Sequence, residues 1–155
     1  MSKLYLPIGI FGSGKSTWAR SQDPNIQIVS GDNIRWMLNG GEYIYNESIE
    51  PVIIDILFDA AKRLLDKGYD VILDECYCSL NIEMRKLVAL RFHKTDLVPV
   101  IFPVKDVIHH VQDKVKKDLR GKTPDYWTRV YTEMINVYEP FNPTKEYYFG
   151  KPIHV

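Results

Sequence analysis

Apolar positions in this chain alternate between short extended runs and longer stretches with helical spacing. Leu4-Tyr5-Leu6-Pro7-Ile8 reads as a short apolar strand and Ile26-Gln27-Ile28-Val29-Ser30 as a second, ended by Gly31. A short helix over Asp32 to Leu38 follows, then a break at Asn39-Gly40-Gly41. From Ser48 to Lys67 apolar residues recur at Ile53, Ile54, Leu57, Ala60, Ala61, Leu64 and Leu65, the period of one helical face. Ser48 is placed to cap that helix, Pro51 falls in its first turn and Gly68 ends it. Val71-Ile72-Leu73 is a buried strand stopping at Asp74-Glu75, and Asn81 to Phe92 is helical through Met84, Leu87 and Val88. Leu97 to Phe102 is the next strand, although Pro99 argues against an uninterrupted central ladder there. Lys105 to Leu119 forms another helix; Thr123-Pro124-Asp125 starts one more, which runs towards Tyr138 and is closed by Pro140 and Pro143. A last short strand is expected near Pro152-Ile153-His154-Val155.

Strands alternating with helices predict an α/β fold: a parallel sheet of about five strands, helices on both faces, right-handed crossovers. A ligand then belongs beyond the carboxyl ends of the strands. The length of 155 residues suits a single domain over 1–155 with one real core. No apolar run reaches membrane-spanning length and Met1-Ser2-Lys3-Leu4 shows no signal-peptide pattern, so a cytoplasmic protein with no membrane partner is expected. Cys76 and Cys78, one residue apart, read as reduced thiols, and His109 and His110 as ordinary helix residues. Trp36 and Met37 read as core packing rather than pocket lining.

Net charge is zero, which disfavours a strongly nonspecific nucleic-acid binder. The charges are nonetheless segregated. Residues 42–75 carry nine acids against three bases, whereas 81–94 and 105–129 are each net +3. A local anion-attracting face is possible, as are solvated helix faces.

The most specific chemistry lies at Gly9-Ile10-Phe11-Gly12-Ser13-Gly14-Lys15-Ser16-Thr17. Gly, four free positions, then Gly-Lys-Ser is the Walker A order, and it stands between a strand and a helix as that motif requires. Loop amides exposed around Gly9, Gly12, Ser13 and Gly14, with Thr17 following, make a nest for phosphate oxygens. Lys15 adds a point charge towards the β and γ phosphates, and the Ser16 hydroxyl is a ligand for Mg²⁺. A nucleoside triphosphate, ATP or GTP, with Mg²⁺ is the expected ligand.

Three further positions fall at the same sheet edge. Asp32, just past the second strand, can accept the proton of an attacking hydroxyl or simply cap its helix, and Arg35 one turn later can hold an anionic part of the acceptor. Asp74 follows an apolar strand as a Walker B acid does and is preferred to Glu75 for orienting the metal. Arg120-Gly121-Lys122 joins a basic helix end to the next capped helix, so a mobile lid is expected around 114–124, with Arg120 closing over the transferred phosphoryl.

Gly-Ser-Gly-Lys-Ser-Thr-Trp-Ala-Arg at 12–20, Asp32-x-x-Arg35, Val71-Ile-Leu-Asp74 and the basic helix to Arg120-Gly121 resemble the phage-type 5′-polynucleotide kinases. Small P-loop kinases of the zeta-toxin and nucleoside-kinase type share the order. The resemblance implies a P-loop NTPase fold and a kinase moving a γ-phosphoryl to a hydroxyl, most simply the 5′-hydroxyl of DNA or RNA. It places the general base at Asp32, the acceptor contact at Arg35 and the lid arginine at Arg120, and it implies the host cytoplasm if the gene is a phage's. Lys116-Lys117-x-x-Arg120 departs from the family's Arg-Asn-x-x-Arg lid, since a lysine is less selective in geometry. The segment from Cys76 to Asn81 is also longer than the family's. A nucleoside, nucleotide or other small hydroxyl acceptor is the alternative, and a non-catalytic nucleotide-binding module a third.

Overall fold

A computed structural model of the chain describes residues 1–118 and 120–155. Five strands form one sheet: β1 (Lys3–Ile8), β2 (Gln27–Ser30), β3 (Val71–Asp74), β4 (Asp96–Ile101) and β5 (Ile153–His154), in the order β2-β3-β1-β4-β5, all parallel. Between them run α1 (Lys15–Arg20), α2 (Gly31–Leu38), α3 (Glu50–Asp66), α4 (Ile82–Arg91), α5 (Val107–Lys117) and α6 (Pro124–Val137), with a short 3-10 helix at Cys76–Cys78. The chain leaves β1 for the far edge at β2, returns to β3, then crosses β1 to reach β4. The direction of winding thus reverses beside β1, where open α/β sheets hold their ligands.

Strand alternation divides the core. Leu4, Leu6 and Ile8 face a main cluster with Val71, Leu73, Ile53, Leu57, Ala61 and Val88. Tyr5 points the other way and meets Trp18 of α1, which also packs edge-on to Phe102. Helices α3 and α4 therefore cover the face opposite α1. A second cluster joins Ile10 and Phe11, at the start of the glycine loop, to Val111 of α5 and to Trp127 and Met134 of α6. The hairpin of α5 and α6 is thereby packed on the loop that follows β1.

Two prolines in the sheet are accommodated by incomplete pairing. β1 pairs with β3 only at Leu4 and Tyr5, so the ladder on that side ends before Pro7. Pro99 stands opposite Leu6 inside the six-residue ladder of β4 with β1. On its other side β5 pairs only with Val100 and Ile101, beyond the proline.

Some expected boundaries move. Ser48 does not cap α3: its hydroxyl donates to Asn46 Oδ1 (2.7 Å), and the N-cap Ile49 supplies no side-chain bond. The turn at Asn46 instead receives the first amides, with Asn46 O accepting from Ile49 N (2.9 Å) and Glu50 N (3.2 Å). Helix α5 starts at Val107 under an Asp106 cap, and its expected end at Leu119 lies outside the described residues. Met37 is 64 % exposed rather than core, because α2 turns that face to solvent, while Trp36 packs edge-on to Tyr43. Cys76 and Cys78 are unbonded. No described helix is long and apolar enough to cross a membrane.

Arg85 and Glu146, both fully buried, tie the C-terminal segment to α4. Arg85 donates to Glu146 through Nε (2.5 Å) and Nη2 (2.9 Å), and through Nη1 to the carbonyls of Ser79 (2.8 Å) and Glu139 (3.0 Å). Glu146 Oε2 also accepts from Asn142 N (2.9 Å). One of the four cations of segment 81–94 is thus internal and attracts no ligand. Breaking such a pair strands a buried charge, so Arg85→Ala or Glu146→Ala is expected to destabilise the fold by about 3–5 kcal/mol. Arg91→Ala, which removes only the exposed pair with Asp59, should cost under about 1 kcal/mol. Urea denaturation of the three variants checks the contrast.

Candidate active site

The loop after β1 is held in its shape from within. Ser13 Oγ donates to Ile10 O (2.8 Å), and Lys15, only 7 % exposed, donates through Nζ to the same carbonyl (2.6 Å). The Lys15 ammonium therefore lies inside the ring of loop amides that a phosphate would enter. Gly12 has φ +67°, and a Cβ there would come 2.5 Å from His110 O on α5. A glycine at this position lets α5 lie directly against the loop. His110 is fully buried; its Nε2 accepts from Lys105 N (2.8 Å), and burial lowers its pKa against the opposing pull of the Phe11 and Gly12 backbone.

Asp74 closes β3 next to this loop. Burial pushes its carboxyl above the usual carboxylate range, while the Ser16 hydroxyl aimed at it and the Lys15 charge pull it back down. No salt bridge occupies Asp74 among the described residues. Glu75, the alternative, faces the other way: its Oε2 takes Arg35 Nη1 (3.0 Å), and its Oε1 takes Tyr77 N (3.3 Å) to start the 3-10 helix. Two oxygen ligands, Ser16 and Asp74, fit Mg²⁺, which keeps phosphate and water in the rest of its shell. A cage of three or more His, Cys, Asp or Glu is absent among the described residues.

Past β2, Ser30 rather than Asp32 caps α2, its side chain accepting from Asn33 N (3.3 Å). Asp32 is thereby left free of a capping role, with its side chain 47 % exposed. Arg35 lies beneath it, 2 % exposed, with four of its five N–H groups on carboxylates. Nη1 donates to Asp32 Oδ1 (3.1 Å) and Glu75 Oε2 (3.0 Å); Nε and Nη2 make a two-pronged pair with Glu50 (3.0 and 2.6 Å). These partners raise the Arg35 pKa despite its burial. The sequence assigns Arg35 to the acceptor's anionic part; in the structure one Nη2 N–H alone is without a carboxylate, on a side chain that is almost entirely buried. Gly31 is required by the same packing, since a Cβ there would fall 1.7 Å from Glu75 Oε2.

Arg120 completes the cluster from the opposite side. Its Nη2 donates to Asp32 Oδ2 (3.2 Å), its Nε pairs with Asp118 (2.7 Å), and its guanidinium stacks on Tyr43 (3.7 Å to the ring centre). Burial and the nearby Asp32 charge push the Tyr43 hydroxyl well above its ordinary pKa. Lys114 lies over Trp127 (4.8 Å), and burial together with Arg120 lowers its pKa. Asp74 and Lys114 each feel both Lys15 and Asp32, and Lys114 also feels Arg120, so the glycine loop, Asp74, Asp32 and Arg120 share one electrostatic neighbourhood.

Sequence spacing brings Asp32 and Arg35 together but gives no hint of Glu50 or of the Arg35–Glu75 bond, which span 15 and 40 residues. Tyr43 and His110 are likewise found only by packing. The Gly40-Gly41 break marks the loop that carries Tyr43, without indicating where its ring goes.

The burial of Asp74 gives a signed prediction. With its folded-state pKa above the unfolded 3.8, the group favours folding below pH 3.8 and loses that contribution as pH rises through the folded value. Asp74→Asn is therefore expected to raise the thermal midpoint at neutral pH, with the gain vanishing as the pH falls towards 4. Thermal unfolding of the wild-type protein and the variant across pH checks this.

Residues 4–141 match the AAA_33 family, described as an AAA domain. A chain in the structure of the Pnkp1/Rnl/Hen1 RNA repair complex superposes with a TM-score of 0.69 at 24 % identity, over 87 % of this chain and 44 % of that one. Kti12 from Chaetomium thermophilum, solved with ADP-AlF3, gives 0.68 at 17 % identity over 98 % and 88 %. A gluconokinase from Sinorhizobium meliloti 1021 gives 0.53 at 16 % over 99 % and 81 %. The chain spans less than half the length of the RNA-repair chain it matches. These are likenesses of fold, and they agree with a parallel sheet whose glycine loop follows its central strand. The family match covers most of the sequence and the neighbours are P-loop proteins including kinases: the chain belongs to the AAA_33 family of AAA domains and has the P-loop kinase-like fold.

Proposed function

We propose that the chain is one phosphotransferase domain over 1–155, with a lid around 114–124, that moves the γ-phosphoryl of ATP or GTP to the 5′-hydroxyl of a nucleic-acid end. The observation that carries this reading is the place of Asp32: a half-exposed carboxylate held by Arg35 and touched by Arg120, sharing its electrostatic surroundings with Lys15 and Asp74. A nucleotide-binding module has no need of a carboxylate fixed in that position.

Each group then has a role in this reading. The loop amides over Gly9–Thr17 and Lys15 hold the donor phosphates. Bound Mg²⁺, at Ser16 and Asp74, would neutralise charge on the phosphate oxygens. Asp32 accepts the proton of the acceptor hydroxyl as its oxygen forms the new bond to phosphorus and the bond to the β-phosphate oxygen breaks, releasing the nucleoside diphosphate. Arg35 fixes the carboxylate from below and acts through it. Arg120 swings from Asp32 to the transferring group, where a guanidinium offsets the charge on three oxygens. A small, uncharged hydroxyl acceptor is the second reading, favoured by the engagement of Arg35 and by the acidic segment 42–75, which leave few free cations on that side.

Asp32→Ala is expected to lower kcat by about 10²–10⁴-fold, the range for loss of a positioned base, with nucleotide affinity nearly unchanged. The assay is transfer from labelled ATP to a panel of 5′-hydroxyl oligonucleotides, nucleosides and sugars, with circular dichroism as the folding control. Undiminished turnover by the variant would remove Asp32 as the base, and transfer to small acceptors alone would select the second reading.

A further inference from the structure

Beside the acceptor carboxylates lies a groove that none of the roles above uses. It has a volume of about 480 Å³ and runs between α3, the 3-10 helix, α4 and the end of α6. Ile54 and Phe58 of α3 and Met84 and Leu87 of α4 make its walls, and Tyr45 and Tyr77 line it too. Tyr45, Tyr77, Met84, Leu87 and Val137 are exposed, an apolar and aromatic patch with no covering element among the described residues.

Three observations say what fits there. First, the groove is continuous with the catalytic cluster: Glu50 lines it, and both Glu50 oxygens bind Arg35, whose other edge holds Asp32. One guanidinium separates the groove wall from the base. Secondly, Glu50 is the sole charged side chain among the described lining residues, and the surrounding segment 42–75 is strongly acidic. Anionic groups are repelled from this side. The cations that meet Asp32 from the other side belong to the α5–α6 hairpin, where Arg120 bonds it and Lys114 feels its charge; Lys122 and Arg129 of the same hairpin lie over the Tyr126 ring. Thirdly, the lining pairs flat apolar walls with a few polar groups: the two tyrosine hydroxyls and Asn81, whose Oδ1 caps Met84 N (2.9 Å) and whose amide nitrogen is left as donor. That combination suits an uncharged planar heterocycle, stacked by sequence-tolerant contacts and met by a few hydrogen bonds.

We infer that this groove seats the terminal nucleobase of the acceptor, with the 5′-hydroxyl over Asp32 and the following phosphates running towards the α5–α6 cations. The inference rests on the nucleic-acid kinase reading and deepens it. Acceptor recognition then comes from stacking on an aromatic patch as well as from phosphate charge. This reconciles a polynucleotide acceptor with a chain of zero net charge.

The test uses two 5′-hydroxyl oligonucleotides that differ only in the terminal residue, one with its base and one abasic. The wild-type protein is expected to show a KM about tenfold higher for the abasic strand, at similar kcat, as for loss of one stacked base. Tyr77→Ala removes a wall and Val137→Trp fills the groove. Both positions are half exposed, and the second variant carries the test if the first does not fold. Each variant should raise the KM of the normal strand to the abasic value and leave the abasic KM unchanged. Equal KM values for the two strands with the wild-type protein, or an equal rise for both strands in the variants, would overturn the inference. A strand with 2-aminopurine at its 5′ end separates this failure from failure of the kinase reading. Quenching by the wild-type protein but not by Val137→Trp, without phosphorylation of any strand, keeps the groove and rejects the activity; phosphorylation without quenching rejects the groove alone.

Discussion

The guanidinium of Arg35 binds three carboxylates from three separate stretches of chain, and the arrangement around Asp32 depends on it. Glu50 opens α3, Glu75 follows β3, and Asp32 stands in the first turn of α2. The four-residue β2 and β3 could not by themselves fix a side chain beyond their ends. A buried arginine with two-pronged and single ion pairs can, because taking away any partner would leave charge in a poorly solvated place. Gly31 belongs to the same device: a side chain there would collide with Glu75.

That central charge also sorts the surface around it. Acidic residues and an apolar groove lie on the α3 side; the cations of α5 and α6 lie on the other. Asp32 is at the boundary and is the one member of the arginine network that remains half exposed. Its two oxygens receive Arg35 from the protein interior and Arg120 from the α5–α6 side. The Arg120 contact is supported by stacking on Tyr43 and by Asp118, so its exchange onto a phosphate would replace one set of partners with a more highly charged one. The same hairpin rests on the glycine loop at Gly12 and His110, so the loop and the two helices form one packed unit.

What the sequence shows of this is uneven, for physical reasons. Short-range rules recover the strands, the glycine loop, the Thr123 cap of α6 and the Asp32–Arg35 pair, because each is encoded within a few neighbouring residues. Ser48 fails as a cap because Asn46, two residues earlier, competes for its hydroxyl. Pro99 lies in an internal strand because β5 is only two residues long and starts beyond it. Arg85 looks like surface charge and is instead a fully buried tie to Glu146, 61 residues away. Arg35 is legible as a functional neighbour of Asp32, but its engagement by Glu50 and Glu75 arises from chain crossings that periodicity does not carry.

The most direct measurement is a structure of the protein with ADP, aluminium fluoride, Mg²⁺ and a 5′-hydroxyl acceptor. Asp32 is expected within hydrogen-bond distance of the acceptor hydroxyl, still bound to Arg35, with Arg120 moved from Asp32 onto the fluoride group. An Asp32 carboxylate still paired with Arg120, or turned away from the hydroxyl while the nucleotide fills the loop, would contradict it.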